Sequence, residues 1–222
     1  MFKGFEDRYW RGNRPNGIYI PRFRNLDNDT ARPDFVRGYG FQGSAGRMGW
    51  SRGSSMKGFG AELKRSLRRP GLWTMGLGGF GETLPRYDNR CELDDDVTDP
   101  WGLPVLRFHV TRDANDLAMR ADMMATAAEM LEAAGAVDIQ EYDRIEDAPG
   151  LGNHEMGAAR MGRDPTTSVL DAYNACHDVR NLFVTDGACM TSSACQNPSL
   201  TYMALTARAC DHAVRALADG KL

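Results

Sequence analysis

The pattern of apolar residues changes near residue 113 of this chain, and the change limits the folds that the chain can adopt. Before that point, short apolar runs alternate with polar residues and are separated by turn-forming residues, as in β-strands. After it, apolar residues recur at steps of three and four, as in amphipathic helices. The sequence therefore predicts an α+β fold, with an antiparallel sheet and long loops first and packed helices afterwards.

The predicted elements follow from these two patterns. Strands are predicted over residues 17–23, 34–39, 72–77 and 105–110, and two further short strands over 137–142 and 181–187. One helix is predicted over 113–134, where Gly135 is a natural C-terminal stop, and a second over 198–217. The apolar stripe of the second helix consists of Leu200, Met203, Ala207, Cys210, Val214 and Leu217.

Charge and composition exclude several classes of protein. The 27 basic and 30 acidic residues give a net charge of −3, which argues against a nucleic-acid binder because phosphate contacts need a basic face. No apolar run approaches the roughly 20 residues that a membrane span needs. The five cysteines are odd in number and lack C-x-x-C spacing, so neither a disulfide framework nor a zinc site is predicted.

Several motifs resemble known sites but lack a required part. Two G-x-G-x-x-G matches, at 38–43 and 76–81, do not open a helix, so we interpret them as glycine-rich bends in a sheet. The His154-Glu155 pair begins like a zinc-protease helix, but the position of the second histidine is Ala158. The acidic run 94–96 lacks the glycine and terminal glutamate of a calcium loop and is predicted to be a solvated turn.

Three places remain open between a structural and a chemical role. His154 lies in a glycine-rich stretch where the backbone can be closely approached, although a lone histidine is usually structural. Asn197 precedes the second helix and is either a plain N-cap or a ligand contact at the helix N-terminus. The step from Asp186 to Gly187 is either a simple turn or a ligand-contacting strand end.

Taken together, the same segments resemble the glucose–methanol–choline (GMC) flavoprotein oxidoreductases. The resemblance is strong over about 152–217, through GNHEMGAARMGRDP at 152–165, SVLD at 168–171, DVRNLFVTDGA at 178–188 and NPSLT at 197–201. It is weaker over about 14–145, where residues 14–17 and 34–43 resemble the substrate-domain sheet of bacterial sugar-oxidising members. The resemblance implies an FAD enzyme that oxidises the CH–OH group of a sugar or polyol.

The family's two catalytic positions fall on His154 and Asn197. The resemblance implies that His154 accepts the hydroxyl proton while hydride leaves for flavin N5, and that Asn197 holds the same oxygen by a hydrogen bond. It also implies cofactor contacts from the strand-end segment and from the start of the last helix. Those residues are Asp186, Gly187, Ala188, Asn197, Pro198, Ser199, Leu200 and Thr201. The loop 190–196 departs from the family pattern, which usually has a proline and a serine there.

The resemblance also implies a division of the chain. Residues 1–150 are expected to be a substrate-binding portion, and residues 151–222 to complete an FAD-binding, Rossmann-like domain. We expect its N-terminal half, the strand, glycine loop and helix that hold the ADP part of FAD, to lie outside this chain or on a partner subunit. The isolated chain would then be inactive and marginally stable or oligomeric, with an unburied helix face.

A non-catalytic or split subunit, acting with a partner chain, is the alternative that we keep. The substrate sugar, the electron acceptor and the compartment (bacterial cytoplasm or periplasm) are left open by these residues.

Overall fold

The computed structural model describes residues 1, 3, 17–69, 71–143, 149–150 and 154–222. Within them the fold is α+β with antiparallel sheets, as the sequence predicts. No helix in this described part combines the length and the apolar character that crossing a bilayer requires. The strands are β1 Ile18–Ile20, β2 Tyr39–Arg47, β3 Trp73–Gly81, β4 Arg90–Thr98 and β5 Pro104–His109, and the α-helices are α1 Gly60–Leu67, α2 Ala114–Ala133 and α3 Ser199–Ala218.

The chain forms two compact units. One contains residues 1–81 and 118–144, and the other contains residues 82–117 and 145–222. These units differ from the portions 1–150 and 151–222 expected from the resemblance, because residues 82–117 cluster with the C-terminal segment. The functional division at residue 150 stays a prediction.

The first unit contains the three-stranded sheet β1-β2-β3. Both glycine-rich motifs lie in it, since β2 and β3 pair antiparallel along nine residues with Gly43 opposite Leu77 and Gly81 opposite Tyr39. They are paired strands and not helix-opening loops. A Cβ on Gly79 would come within 2.6 Å of Met123 Sδ, so the missing side chain there lets the Met123 side chain of α2 pack on the sheet.

The core of the first unit joins β2 to α2. Its buried members are Phe35, Tyr39, Phe41 and Met119. The Tyr39 hydroxyl donates its one proton to Asp122 and accepts from Thr126 Oγ1 on α2, so the one polar atom of this aromatic core has partners. The pKa of Tyr39 is raised, chiefly by burial, which keeps the phenol neutral.

The predictions for α2, α3, β1, β3 and β5 are confirmed within a few residues. Gly135 ends α2 as expected, with φ of +84° and a hydrogen bond from the Ala136 N–H to the Leu131 carbonyl, which is the Schellman pattern. α1 is not predicted from the sequence, because its eight residues are too few for a repeating apolar pattern to stand out, although Leu63 and Leu67 lie one turn apart.

Three strand predictions need correction. Residues 34–38 are not a strand, since Arg37 has φ of +72° and β2 begins only at Tyr39. Residues 137–142 are not a strand either, because Asp138 has φ of +55° and turns the chain. In 181–187 the pairing is reduced to one isolated bridge, between Phe183 and Ala175. The alternation of apolar and polar side chains does not reveal a left-handed backbone conformation such as that of Arg37 and Asp138.

The acidic run was also predicted wrongly as a solvated turn. Asp94, Asp95 and Asp96 lie in β4, at a register shift against β5 between Leu93 and Thr98. Asp94 is buried, and its carboxylate accepts from Arg107 Nε at 2.8 Å and from the backbone N–H of Asp96 at 2.9 Å. The Asp94 side chain thus stabilises the strand at this irregularity by hydrogen bonding to the backbone of the same strand.

The long helix α3 buries one face and exposes the other. Ala209 and Ala216 lie in the buried face. The opposite face is the apolar stripe predicted from the sequence, where Leu200 is 79% exposed and Val214 is 68% exposed. The expected unburied helix face is thus present on α3.

Candidate functional site

The segment that begins at His154 lies against the turn that follows residue 186, within the second unit. His154 is half-buried. The Ala159 N–H donates to the Ala188 carbonyl at 3.0 Å, and the Met161 N–H donates to the Cys189 carbonyl at 2.9 Å. These two backbone hydrogen bonds fix the His154 segment alongside the turn.

The turn itself is a short 3-10 helix over Gly187–Cys189. Asp186 caps it, because its Oδ1 accepts the Ala188 N–H at 3.0 Å. Gly187 and Cys189 are buried while Asp186 is exposed. The open choice between a plain turn and a ligand-contacting edge is therefore partly answered: Asp186 forms the turn, and its carboxylate still faces the surface.

Gly187 is the point at which three segments meet. A Cβ at this position would lie 2.8 Å from Tyr202 Oη on α3, 2.9 Å from the Glu155 carbonyl oxygen and 3.1 Å from Met156 Sδ. Only a residue without a side chain fits there unless the backbone moves. The turn, the residues directly after His154 and the first turns of α3 are thus packed together, although they are distant in sequence.

The N-terminus of α3 carries no side-chain cap. Pro198 is the N-cap residue, so the interpretation of Asn197 as a plain N-cap is wrong by one position. Ser199, Leu200 and Thr201 are exposed. The first backbone N–H groups of a helix have no intrahelical partner and carry a partial positive charge, so this end suits an electron-rich group.

Two residues of this region were missed by sequence reasoning. Tyr202 lies among the converging segments, where its hydroxyl donates to Met156 Sδ at 3.6 Å; burial, followed by the negative charge of Asp186, raises its pKa. Asn174 is fully buried behind the turn. Its left-handed φ of +67° is a conformation that asparagine adopts more readily than most residues, so its place in a turn was the available signal.

The residues present fit a contact with FAD. The uncapped end of α3 offers backbone N–H groups, and the absence of a Cβ at Gly187 permits the tight convergence beside it. Among the described residues both sheets are antiparallel, so the strand, glycine loop and helix that would hold an ADP moiety are not among them.

The sequence is similar to one protein family and to several individual proteins. The family model described as "GMC oxidoreductase" matches residues 85–206, more than half of the chain. The chain is 37% identical over 140 residues to 2-methyl-1,2-propanediol dehydrogenase of Mycolicibacterium austroafricanum, covering 63% of this chain and 25% of that protein. It is 32% identical over 203 residues to the fructose dehydrogenase large subunit of Gluconobacter japonicus, covering 90% and 36%.

A third relative is pyranose 2-oxidase of Tricholoma matsutake, 33% identical over 108 residues, with 49% of this chain and 19% of that protein covered. The chain spans about a quarter to a third of the length of the first two relatives.

Proposed function

The chain belongs to the GMC oxidoreductase family, and on this premise we propose that it is the C-terminal part of an FAD-dependent oxidoreductase acting on CH–OH groups of sugars or polyols. One observation carries the proposal: the His154 segment, the Asp186–Ala188 turn and the start of α3 converge at Gly187. The substrate class is argued from relatives named for a diol, for fructose and for a pyranose.

His154 is the proposed base. A neutral imidazole accepts a proton near pH 7, and removing the hydroxyl proton makes the alcohol carbon a better hydride donor. Asn197 is proposed to hold the same hydroxyl oxygen, since an amide orients a substrate without competing for its proton. Along the chain, His154 directly precedes Glu155, and Asn197 lies five residues before Tyr202.

The proposed cofactor contacts come from the turn and from the helix end. When bound, FAD supplies the hydride acceptor. Asp186, Gly187 and Ala188 contact it from the turn, and the residues 197–201 contact it from the start of α3. The positive end of α3 favours negative charge on its neighbour, which is the charge that a reduced flavin carries.

The proposed division of labour assigns substrate binding to residues 1–150 and completion of the FAD-binding domain to residues 151–222. The exposed apolar stripe on α3 supports the proposal that another element, not among residues 151–222, packs against this helix. Leu200 and Val214 stand largely in water there, and an apolar helix face of this length is usually covered by another element. We propose that the N-terminal half of the FAD-binding domain covers it, supplied either by the same polypeptide or by a partner subunit.

The alternative is a split or non-catalytic subunit that acts only with its partner chain. The name of one relative, a "large subunit", favours a multi-subunit enzyme for that protein. On this alternative His154 and Asn197 would be retained without turnover in this chain, and the exposed face of α3 would be an intersubunit surface.

The visible absorption spectrum of the purified protein tests the proposal. It is recorded as isolated, after FAD, and after anaerobic addition of glucose, fructose or a 1,2-diol, first alone and then with a co-expressed ADP-binding half from a relative. We expect a colourless chain alone, and with that half a bound flavin that bleaches with substrate. Flavin that is retained by the completed protein but never bleaches favours the non-catalytic alternative. No flavin in either form contradicts the assignment of FAD.

A further inference from the structure

Among the described residues of the second unit, Asn174 is the most completely buried polar one, and its side chain has three partners. Its Nδ2 donates to the Val184 carbonyl at 2.9 Å. Its Oδ1 accepts from Arg208 Nη2 on α3 at 3.2 Å. The Cys189 thiol is its third neighbour, and hydrogen bonding from Asn174 opposes the rise in the pKa of Cys189 that burial causes. A donor and an acceptor of the amide thus both have partners at hydrogen-bond distance.

Two of these partners stand on either side of the Asp186–Ala188 turn. Val184 lies two residues before Asp186, and Cys189 follows Ala188 directly. The backbone adds a second link, because the Val184 N–H donates to the Asn174 carbonyl at 3.1 Å. Asn174 thus fixes the chain two residues before Asp186 through two hydrogen bonds, and it lies beside Cys189, the residue that follows Ala188.

The third partner connects the turn to the other two segments of the site. Arg208 lies two to three turns along α3 from the helix start, and its guanidinium also donates to Met161 Sδ at 3.6 Å. Met161 belongs to the segment that begins at His154 and donates its N–H to the Cys189 carbonyl. The contacts of Asn174 therefore lead to every segment that carries a proposed site residue.

We propose that Asn174 is a positioning residue that holds the Asp186–Ala188 turn in its cofactor-contacting geometry. The inference rests on the proposed function only for the identity of what the turn contacts. An amide suits this position because the Val184 carbonyl needs a donor and the Arg208 guanidinium needs an acceptor. A carboxylate of the same shape would pair with Arg208 but leave the Val184 carbonyl without a donor.

Hydrogen exchange measured residue by residue tests the proposal without any cofactor. Asn174→Asp keeps the shape and removes both donors, and Asn174→Gly keeps the left-handed backbone while removing the side chain. Asn181→Asp is the matched control, since Asn181 is exposed and the substitution adds the same charge nearby in the chain. In both Asn174 variants we expect the amides of residues 186–190 to exchange about tenfold faster or more, and the Cys189 thiol to be alkylated faster.

The distribution of the change decides the outcome. Faster exchange confined to 186–190 and the adjoining 159–161, with β4, β5 and the first unit unchanged, supports positioning. Unchanged exchange at 186–190, or an equal rise throughout the second unit, overturns it. Flavin binding by the completed protein is measured separately. If the wild type binds and reduces flavin but exchange at 186–190 is unchanged in the variants, the positioning role fails and the proposed function stands. If the turn responds but no form binds flavin, the proposed function fails and the structural role of Asn174 stands.

Discussion

The hydroxyl of Tyr202 lies where a side chain at Gly187 would have to be. A Cβ on Gly187 would come within 2.8 Å of Tyr202 Oη and within 2.9 Å of the Glu155 carbonyl oxygen. The first neighbour is the end of a flexible side chain, but the second is backbone. The packing of the turn against Tyr202 of α3 therefore depends on the absence of a side chain at position 187.

Gly187→Ala is expected to lower the free energy of unfolding by about 1–3 kcal/mol, because overpacking forces the turn or the His154 segment to move. Adding Tyr202→Phe relieves one of the two close contacts, so the double variant is predicted to recover part of the loss and to be non-additive. Urea titrations of the wild type, Gly187→Ala, Tyr202→Phe and the double variant measure both effects. Gly76→Ala is the control, since a Cβ there meets nothing within 4 Å; a Gly187→Ala loss no larger than that of Gly76→Ala would contradict the packing argument.

His154→Ala is expected to slow flavin reduction by substrate by about 10²- to 10⁴-fold in the completed protein, the usual contribution of a general base. Flavin content is predicted to stay at the wild-type level, because the proposed role of His154 is proton transfer and not cofactor binding. Anaerobic stopped-flow absorbance measures the rate. The matched control is His109→Ala, which removes a half-buried histidine on β5 that is paired with Glu92. Equal rates in the two variants would remove His154 from the mechanism.

The stability of the second unit is predicted to fall in acid partly through Asp94. Hydrogen bonds from the Asp96 N–H, then the Arg107 guanidinium, hold the pKa of Asp94 below its usual value of 3.8. The folded state therefore binds a proton less readily than the unfolded state, so this stabilisation is present above the unfolded pKa and is lost as the pH falls through the folded pKa. Below about pH 4 the wild type should lose more stability than Asp94→Asn.

At pH 7, where the Asp94 carboxylate is charged, Asp94→Asn is expected to be less stable than the wild type because the charged hydrogen bonds are gone. Denaturation at a series of pH values measures both ends of the range. Asp95→Asn is the control, since Asp95 is the exposed neighbour. An Asp94→Asn curve parallel to wild type at every pH would show that the Asp94 contacts do not form in solution.

The apolar stripe of α3 is predicted to cause self-association of the isolated chain. Met203 belongs to the stripe and is 67% exposed, so Met203→Glu should reduce dye binding and shift sedimentation towards the monomer. With the completing half present, the same change should weaken flavin retention. Arg215→Gln changes the net charge by the same amount at an exposed position of α3 outside the stripe, and it is expected to change neither property. Association that persists unchanged in Met203→Glu would assign it to another surface.

Local patterns in the sequence were sufficient for the long regular elements. The steps of three and four in α2, its glycine stop and the alternation in β3 and β5 each report on residues that are neighbours in the chain, and each prediction is confirmed. The resemblance to the GMC family rested on short motifs of fixed order and spacing, and the family match bears it out. The catalytic roles of His154 and Asn197 stay predictions.

Tertiary structure decided the features that depend on contacts between distant residues. α3 has two faces that a helix could bury, and its period alone does not tell which one is covered; packing buries Ala209 and Ala216 and leaves the larger stripe in water. The pairing of both glycine-rich motifs into one sheet likewise needed the register of β2 on β3. The sequence by itself determined where the two long helices α2 and α3 and the strands β1, β3 and β5 lie, and to which family the chain belongs. Only the folded chain brought Asn174 to Arg208 and Gly187 to Tyr202, because such contacts depend on which distant segments pack together and no local pattern records them.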